Sequence, residues 1–517
     1  MKTIRKQKSK KLHWFSVWIG TLLFAVAAAV IAGVYWAWGQ FGELDLSKII
    51  FHLRESTEGT NWDAFTEGFV WAAVAASVCA GINLLLQRLL NKQGTLQIQV
   101  HKWKLRFHLD TFSRHYIWYS AAAVILSIVL ALSYVGVPTY ARNRLNKTTI
   151  YEDYYVDPVT ANVMFPEKKR NLIYIYMESM ETTFMSAEHG GAEYGEFIPE
   201  LYLMQMDNTN FAEPGHINGA YSTYGTTWTM GGLVAQTCGI PLNMPLDGNE
   251  LGYHIELLSG AGSIGQVLDA EGYRQEFLMG SAGGFGGRDS FFVRHGNYAI
   301  KDYYYAVDQE WIDPDYFVWW GYEDQKLYEY ARNELLELAE SGEPFNLTML
   351  TVDTHFVGGY TCEICKDEFG DDSYANAIAC GSRQVSEFVE WVKQQDFYDN
   401  TTIIICGDHP TMDEAYMQVS VGDGLRDYSR RAYTVIINGA REYELGYDRV
   451  FTTMDMCPTT LASLGAVIEG DRLGLGTDLY STTPTLAELM GLEQLDQELA
   501  RTSKYYENYI FYNDRGE

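Results

Sequence analysis

The chain has 517 residues, 47% of them hydrophobic and 14% aromatic, with a formal net charge of −29 at neutral pH. That length leaves room for more than one domain and for a large core. The acidic balance argues against nucleic acid as a partner, because a protein that follows a phosphate backbone needs a cationic footprint; a self-repelling, solvent-facing surface accounts for it.

The first quarter is unlike the rest. Apolar stretches at 14–38, 65–86 and 117–137 are each roughly 20 residues or more, the length a helix needs to cross a bilayer. Lys2, Arg5, Lys6, Lys8, Lys10 and Lys11 precede the first stretch, and Arg88, Lys92, Lys102, Lys104 and Arg106 lie between the second and third. The intervening 39–63 segment is mostly acidic. The positive-inside rule then puts the amino terminus and the second connection in the cytoplasm and everything after Val137 outside. The charged start and the run from Ala27 to Ala32 imitate a signal peptide, but the apolar stretch is too long and two more follow, so it reads as a retained anchor. A multi-pass cell-membrane protein with an extracytoplasmic main domain is expected. Just beyond the third span, Arg142, Arg144 and Lys147, then Lys168, Lys169 and Arg170, could steady anionic headgroups of the membrane lipids.

Residues 138–170 carry little periodicity and read as a linker. From Asn171 onward, strand-like runs alternate with helix-like stretches, the pattern of an α/β domain. The runs at 171–177, 346–352 and 401–406 are apolar, rich in β-branched and aromatic residues, and bounded by polar turns. Such runs form buried strands of a parallel sheet. Further strands are expected at 273–279 and 432–437, helices at 262–270, 323–341 and 380–394, and a terminal surface helix over 485–509. The resulting division is a three-helix transmembrane region (1–137), the linker (138–170), an α/β catalytic domain (171–484) and a helical extension (485–517). Cys79 falls in a membrane span; the other six cysteines fall where disulfides persist. Cys362-Glu-Ile-Cys365 has zinc or redox spacing, but no second such pair completes a zinc site. A bridge from Cys362 or Cys365 to Cys380 is expected instead.

Three of the predicted strands end in residues that bind metal or handle protons: Glu178, then Asp353 and His355, then Asp408 and His409. Open α/β sheets build their sites just beyond the carboxyl ends of their strands. Asp408-His409 projects one oxygen and one nitrogen ligand at that edge, a mixed set that suits manganese, zinc or iron better than magnesium. Glu178 alone reads more readily as a solvated strand end than as a functional group. The segment from Gly225 to Ala235 reads as a loop entering a helix, where backbone N–H groups and the helix dipole favour an oxyanion. Its Thr226, Thr227 and Thr229 are not separated by spacing, and each is also an ordinary helix cap. A threonine hydroxyl needs a metal or base to become a nucleophile. His355 reads as a ligand, a substrate contact or a loop residue. The glycine-rich loop at 283–289 carries Arg288, whose planar donor fork suits a phosphate oxygen, although glycines also simply make turns.

These residues, in this order, resemble the alkaline-phosphatase/sulfatase superfamily, and within it the membrane-anchored phosphoglycerol transferases that include lipoteichoic acid synthase and the enzyme decorating periplasmic glucans. The resemblance runs from about Asn171 to Ser481. It rests on Met177-Glu-Ser, Gly225-Thr-Thr-Trp-Thr229 with Cys238-Gly-Ile-Pro-Leu242, Phe277-Leu-Met-Gly280, Gly287-Arg-Asp289, Asp353-Thr-His355 and Gly407-Asp-His409, with Thr453-Met-Asp and Gly474-Leu-Gly beyond. It implies a mostly parallel central sheet with helices on both faces. It implies that Thr229 is the nucleophile and that Glu178, Asp408 and His409, completed by Thr229, hold one divalent metal, expected to be manganese with magnesium or zinc as alternatives. It implies that Arg288 and His355 contact the substrate phosphate, with His355 also handling protons. The implied reaction moves glycerophosphate from phosphatidylglycerol to a hydroxyl of an extracytoplasmic glycan or glycolipid through a phospho-threonine. A phosphoethanolamine transferase and a non-catalytic membrane-anchored binding protein are the rival readings. The chain departs from the family in having only three expected spans and in lacking a histidine after Phe277. It also lacks the Cys-x-Pro-x-Arg signature of sulfatases, which disfavours sulfate esters.

Overall fold

The computed structural model describes residues 2–41, 46, 49–50, 63–90, 95–100, 103–108, 115–192, 195–245, 257–422 and 428–513. The chain divides into two compact units, Met1–Leu46 with Asn61–Tyr140, and Ser47–Thr60 with Ala141–Glu517.

The first unit contains helices α1 (Lys2–Phe41), α2 (Asp63–Leu90) and α3 (Tyr116–Tyr134). Their segments Phe15–Gly39, Thr66–Arg88 and Tyr116–Tyr134 are long and apolar enough to cross a membrane, in agreement with the three expected spans. Trp18, Phe69, Leu85, Trp118 and Ile125 stay exposed on these helices, as on helices that are apolar all round. Small residues allow close helix contact: a Cβ on Gly20 would lie 2.2 Å from the Tyr116 ring. The Tyr116 hydroxyl donates to Asn83 and lies 3.3 Å from Thr21 Oγ1. A hairpin pairs Thr95–Val100 with Trp103–His108. Most of the acidic 39–63 segment, and Lys92 and Lys102 of the basic connection, lie outside the described residues.

The second unit is built on a seven-stranded sheet: β1 (Asn171–Met177), β2 (Gly219–Ala220), β3 (Arg274–Met279), β4 (Ala299–Lys301), β5 (Phe345–Leu350), β6 (Thr401–Gly407) and β7 (Ala432–Ile437). Across the sheet the order is β2-β7-β6-β1-β5-β3-β4. The run from β6 to β4 is parallel, whereas β7 lies antiparallel to β6, and β2 antiparallel to β7. The strand expected at 346–352 stops at Leu350 because the amides of Val352 and Asp353 turn to the Asp324 carboxylate at 2.7 and 3.1 Å.

Alternation sends Leu172, Tyr174 and Tyr176 to one face and Ile173, Ile175 and Met177 to the other. On the first face lie α4 (Thr229–Cys238), α5 (Ile264–Ala270) and later helices, through Leu233, Ile264 and Leu461. On the second lie α6 (Asp324–Glu340) and α7 (Ser373–Val392), through Leu335 and Val385. Every residue of β1, β5, β6 and β7 is buried, which explains their unbroken apolar sequences. Helix α7 begins earlier than the expected 380, where the Asp372 side chain accepts from the Ala375 amide and caps it.

From Ala141 onward, the stretch expected as a linker belongs to this unit. Ile150 and Tyr151 enter the first-face core, and Val163–Met164 pairs with Val467–Ile468. The expected terminal helix is broken at Gly491 (φ 83) into α8 (Leu486–Met490) and α9 (Leu492–Ala500). Arg449, itself buried, fastens this end by donating to both oxygens of Glu488 and to the carbonyls of Leu479, Ser481 and Thr483.

Candidate metal centre

Strands β1 and β6 run parallel with Tyr176 opposite Cys406 and Met177 opposite Gly407. The next residue on each, Glu178 and Asp408, therefore leaves the sheet side by side. A Cβ at Gly407 would lie 1.9 Å from the Met180 carbonyl oxygen, so the strand can end there only on a glycine. Ser179 then turns the chain at φ 55, a left-handed conformation uncommon for a residue with a side chain and one that gathers at functional sites. In that pose its amide donates to Asp408 Oδ1 and its hydroxyl to Glu178 Oε1, both at 2.8 Å.

The His409 amide also donates to Asp408 Oδ1, at 2.8 Å. His409 Nδ1 lies 2.8 Å from the Pro410 carbonyl. A carbonyl only accepts, so Nδ1 carries the proton and Nε2 presents a lone pair. That Nε2 is 3.5 Å from Glu178 Oε1 and 3.5 Å from Asp408 Oδ2. One ligand atom from each of the three residues lies within 4.8 Å of the others.

Helix α4 brings the hydroxyl. Thr229, its first residue, donates from Oγ1 to Glu178 Oε2 at 3.1 Å and lies 3.4 Å from His409 Nε2. A Cβ on Gly232 would sit 2.1 Å from the Asp408 carbonyl oxygen. Any side chain there would lift α4 off the strand end and carry the hydroxyl away with it. Of the threonines that spacing left equivalent, Thr229 meets the cluster, whereas Thr226 Oγ1 is used within the loop, donating to the Thr223 carbonyl and accepting from its amide.

The donor set fits a divalent cation. Glu178 and Asp408 are fully buried, and no Lys or Arg among the described residues forms an ion pair with either. Asp408 Oδ2 has no hydrogen-bond donor. Burial, and then the neighbouring Asp408 charge, push the Glu178 carboxyl up; burial pushes Asp408 up to about 7. Two uncompensated buried carboxylates are costly, and a divalent cation held by Glu178, Asp408, His409 and Thr229 would remove that cost.

Arg288 and His355 stand beside this cluster without touching it. Among the described residues, neither makes a hydrogen bond or ion pair with Glu178, Thr229, Asp408 or His409. Arg288 is buried and anchored through Nε and one Nη to the carbonyls of Phe285 and Ala282, at 2.9 and 2.8 Å. Burial lowers it to about 10, against the opposing pull of Glu178, Asp289, Asp302 and Asp408. Burial also lowers His355, despite Glu178. Its Nδ1 meets the Phe356 carbonyl, which leaves Nε2 as a base, and its ring lies 4.7 Å from that of Trp320.

Sequence reading missed the residues that hold these groups. Thr351 Oγ1 accepts from the Glu178 amide at 2.9 Å, and the Thr354 hydroxyl donates to the Glu178 carbonyl. Ser179 was visible only as part of a motif. Glu181, three residues past Glu178, is buried and gripped by Arg430 through Nε at 2.8 Å and Nη2 at 2.5 Å, and by the Thr411 amide at 3.0 Å.

Residues 170–431, half of the chain, match the Sulfatase family model, and the chain belongs to that family. The resemblance expected from the motifs is borne out. Among curated relatives, it is 30% identical over 309 residues to phosphoglycerol transferase I of Xanthomonas campestris pv. campestris (strain B100), covering 57% of this chain and 41% of that one. It is 29% identical over 337 residues to phosphoglycerol transferase I of Escherichia fergusonii, covering 63% and 41%. The chain thus spans about two fifths of the length of these relatives. A solved alkaline phosphatase superfamily protein from Vibrio parahaemolyticus aligns with 22% identity and a TM-score of 0.49, over 65% of this chain and 76% of that one.

Proposed function

We propose that the protein is a metal-dependent phosphoglycerol transferase of the cell membrane. It takes glycerophosphate from phosphatidylglycerol and passes it, through a phospho-threonine at Thr229, to a hydroxyl of a glycan or glycolipid outside the membrane. The observation that carries this reading is the Thr229 hydroxyl poised at 3.1 Å from Glu178 and 3.4 Å from His409, at the mouth of a buried acidic cluster. A divalent cation held by Glu178, Asp408, His409 and Thr229, for which manganese is the proposal, supplies positive charge that makes the Thr229 oxygen a nucleophile. The membrane-capable helices would raise the effective concentration of a lipid donor.

The chain's own groups divide the remaining work. Thr229 Oγ1 donates its hydrogen to Glu178 Oε2, which leaves its two lone pairs for the cation and for an incoming phosphorus. As the Thr229 Oγ1–phosphorus bond forms, the bond to the diacylglycerol oxygen breaks, and that oxygen leaves with the proton surrendered by threonine. Arg288, locked by two backbone carbonyls, keeps a fixed positive charge beside the phosphate oxygens. His355 Nε2, whose pKa burial lowers, takes the proton of the acceptor hydroxyl as that oxygen bonds to phosphorus and the Thr229 Oγ1–phosphorus bond breaks, and the proton then returns to the Thr229 oxygen.

The test is turnover of labelled phosphatidylglycerol by the detergent-solubilised protein with manganese, read as diacylglycerol release and as a glycerophosphate mass adduct on Thr229. Absence of both from folded, metal-loaded protein would defeat the proposal. A phosphoethanolamine adduct from the corresponding lipid, with none from phosphatidylglycerol, would replace the headgroup.

A further inference from the structure

Three of the seven cysteines converge where the segment that carries His355 meets helix α7. Cys365 is bridged to Cys380, the eighth residue of α7. Cys362 is a free thiol, and its Sγ lies 3.5 Å from Cys365 Sγ. A ligand atom from each of the three lies within 4.8 Å of the others. Cys365 Sγ is thus bonded to one neighbouring sulfur and in van der Waals contact with a second.

The surroundings serve both arrangements. Gln384, one turn beyond Cys380 on the same helix, directs its Nε2 to Cys380 Sγ at 3.5 Å and to Cys362 Sγ at 4.0 Å. One amide donor thereby reaches both the attacking sulfur and the leaving one, and a hydrogen bond to a leaving thiolate favours exchange. Cys362 is only 8% exposed and Cys380 is buried, so outside thiols are hindered while the internal neighbour is already in place.

We propose that Cys362, Cys365 and Cys380 form an internal thiol–disulfide exchange site. The Cys362 thiolate attacks Cys365 Sγ. A Cys362–Cys365 bond forms, the Cys365–Cys380 bond breaks, and Cys380 leaves as a thiolate that takes up the proton Cys362 lost. The step is an isomerisation, with no net oxidation and no added reductant. Its two ends differ in what they tie together. The Cys365–Cys380 bridge fastens the segment beginning at Asp353-Thr354-His355 to α7, whereas the Cys362–Cys365 bridge closes a loop within that segment and lets it go. The Thr354 hydroxyl bonds to the Glu178 carbonyl, so the released segment is the one that borders the acidic cluster. This inference does not depend on which reaction the cluster performs.

The experiment is to incubate the full-length solubilised protein without reductant, quench it with acid, denature it, label free thiols with a maleimide and map the peptides. Label is expected on Cys380 in a fraction of molecules, with an equal loss of label from Cys362. In a Cys380→Ser variant, a Cys362–Cys365 disulfide should replace the native bridge, leaving both residues unlabelled. Among the three, label on Cys362 alone in the wild type overturns the proposal, as does label on both Cys362 and Cys365 in the variant; Cys79, Cys238, Cys406 and Cys457 are free thiols and label throughout. A Cys362→Ser variant keeps the Cys365–Cys380 bridge and serves as the fixed reference.

Discussion

Two glutamates leave the end of β1 three residues apart, and the protein treats them oppositely. Glu181 is fully buried and fully answered: the Arg430 guanidinium grips both its oxygens, and the Thr183 hydroxyl and Thr411 amide add donors. Glu178 is equally buried, yet it faces a second carboxylate, an imidazole lone pair and a hydroxyl. The first arrangement is closed by the chain itself, as a buried charge must be if it is to hold structure. The second is left short of positive charge, with Asp408 Oδ2 lacking any donor. Burial therefore does not separate the two acids; the arithmetic of charge around each does, and it marks Glu178 as the proposed functional one.

Breaking the open cluster should affect chemistry most. Thr229→Ala should lower phosphatidylglycerol turnover on the order of 10⁶-fold, as loss of a nucleophile does, and should remove the covalent adduct while metal-dependent thermal stabilisation persists. His355→Ala should cost about 10² to 10⁴-fold in turnover, the range for a general acid–base group, with the adduct on Thr229 still detectable by mass spectrometry. Breaking the closed cluster should affect folding instead. Arg430→Leu strands a buried Glu181 and should destabilise the second unit by about 3–5 kcal/mol, measured by denaturant unfolding.

A smaller effect tests the contrast itself. Manganese at about 100 times its dissociation constant should stabilise the wild type by about 2.7 kcal/mol, and a chelator should reverse the gain. Glu178→Gln should abolish that gain while stabilising the metal-free protein on the order of 1 kcal/mol, by removing one of two like buried charges. Glu181→Gln should do the reverse, losing stability and keeping the metal response. Equal behaviour of the two variants in thermal scans with and without manganese would show that the distinction is mistaken.

The strand ends were legible from sequence because fully buried parallel strands must be unbroken apolar runs. At β1 and β7 the expected bounds and the observed ones coincide, and at β6 they differ by one residue. The membrane-capable helices were legible for a similar reason, since length and apolarity alone define them. Boundaries set by side chains were not: β5 gives way to the Asp324 carboxylate, and α7 starts at the Asp372 cap. The terminal helix was broken by Gly491, whose positive φ no periodicity announces.

At the site, sequence by itself determined which residue types stand beyond which strands: Glu178, His355, Asp408 and His409, with a threonine-rich helix entrance. It could not say which threonine, because Thr226, Thr227 and Thr229 share chemistry and spacing. The parallel register of β1 and β6 decided that Glu178 and Asp408 are neighbours, and two glycines, Gly407 and Gly232, decided how closely helix and strand end approach. Only that approach puts the Thr229 oxygen against Glu178 while Thr226 spends its hydroxyl on Thr223. Periodicity records which way each residue faces along one element. The distance between atoms on separate elements is set by packing, and packing exists only in the folded chain.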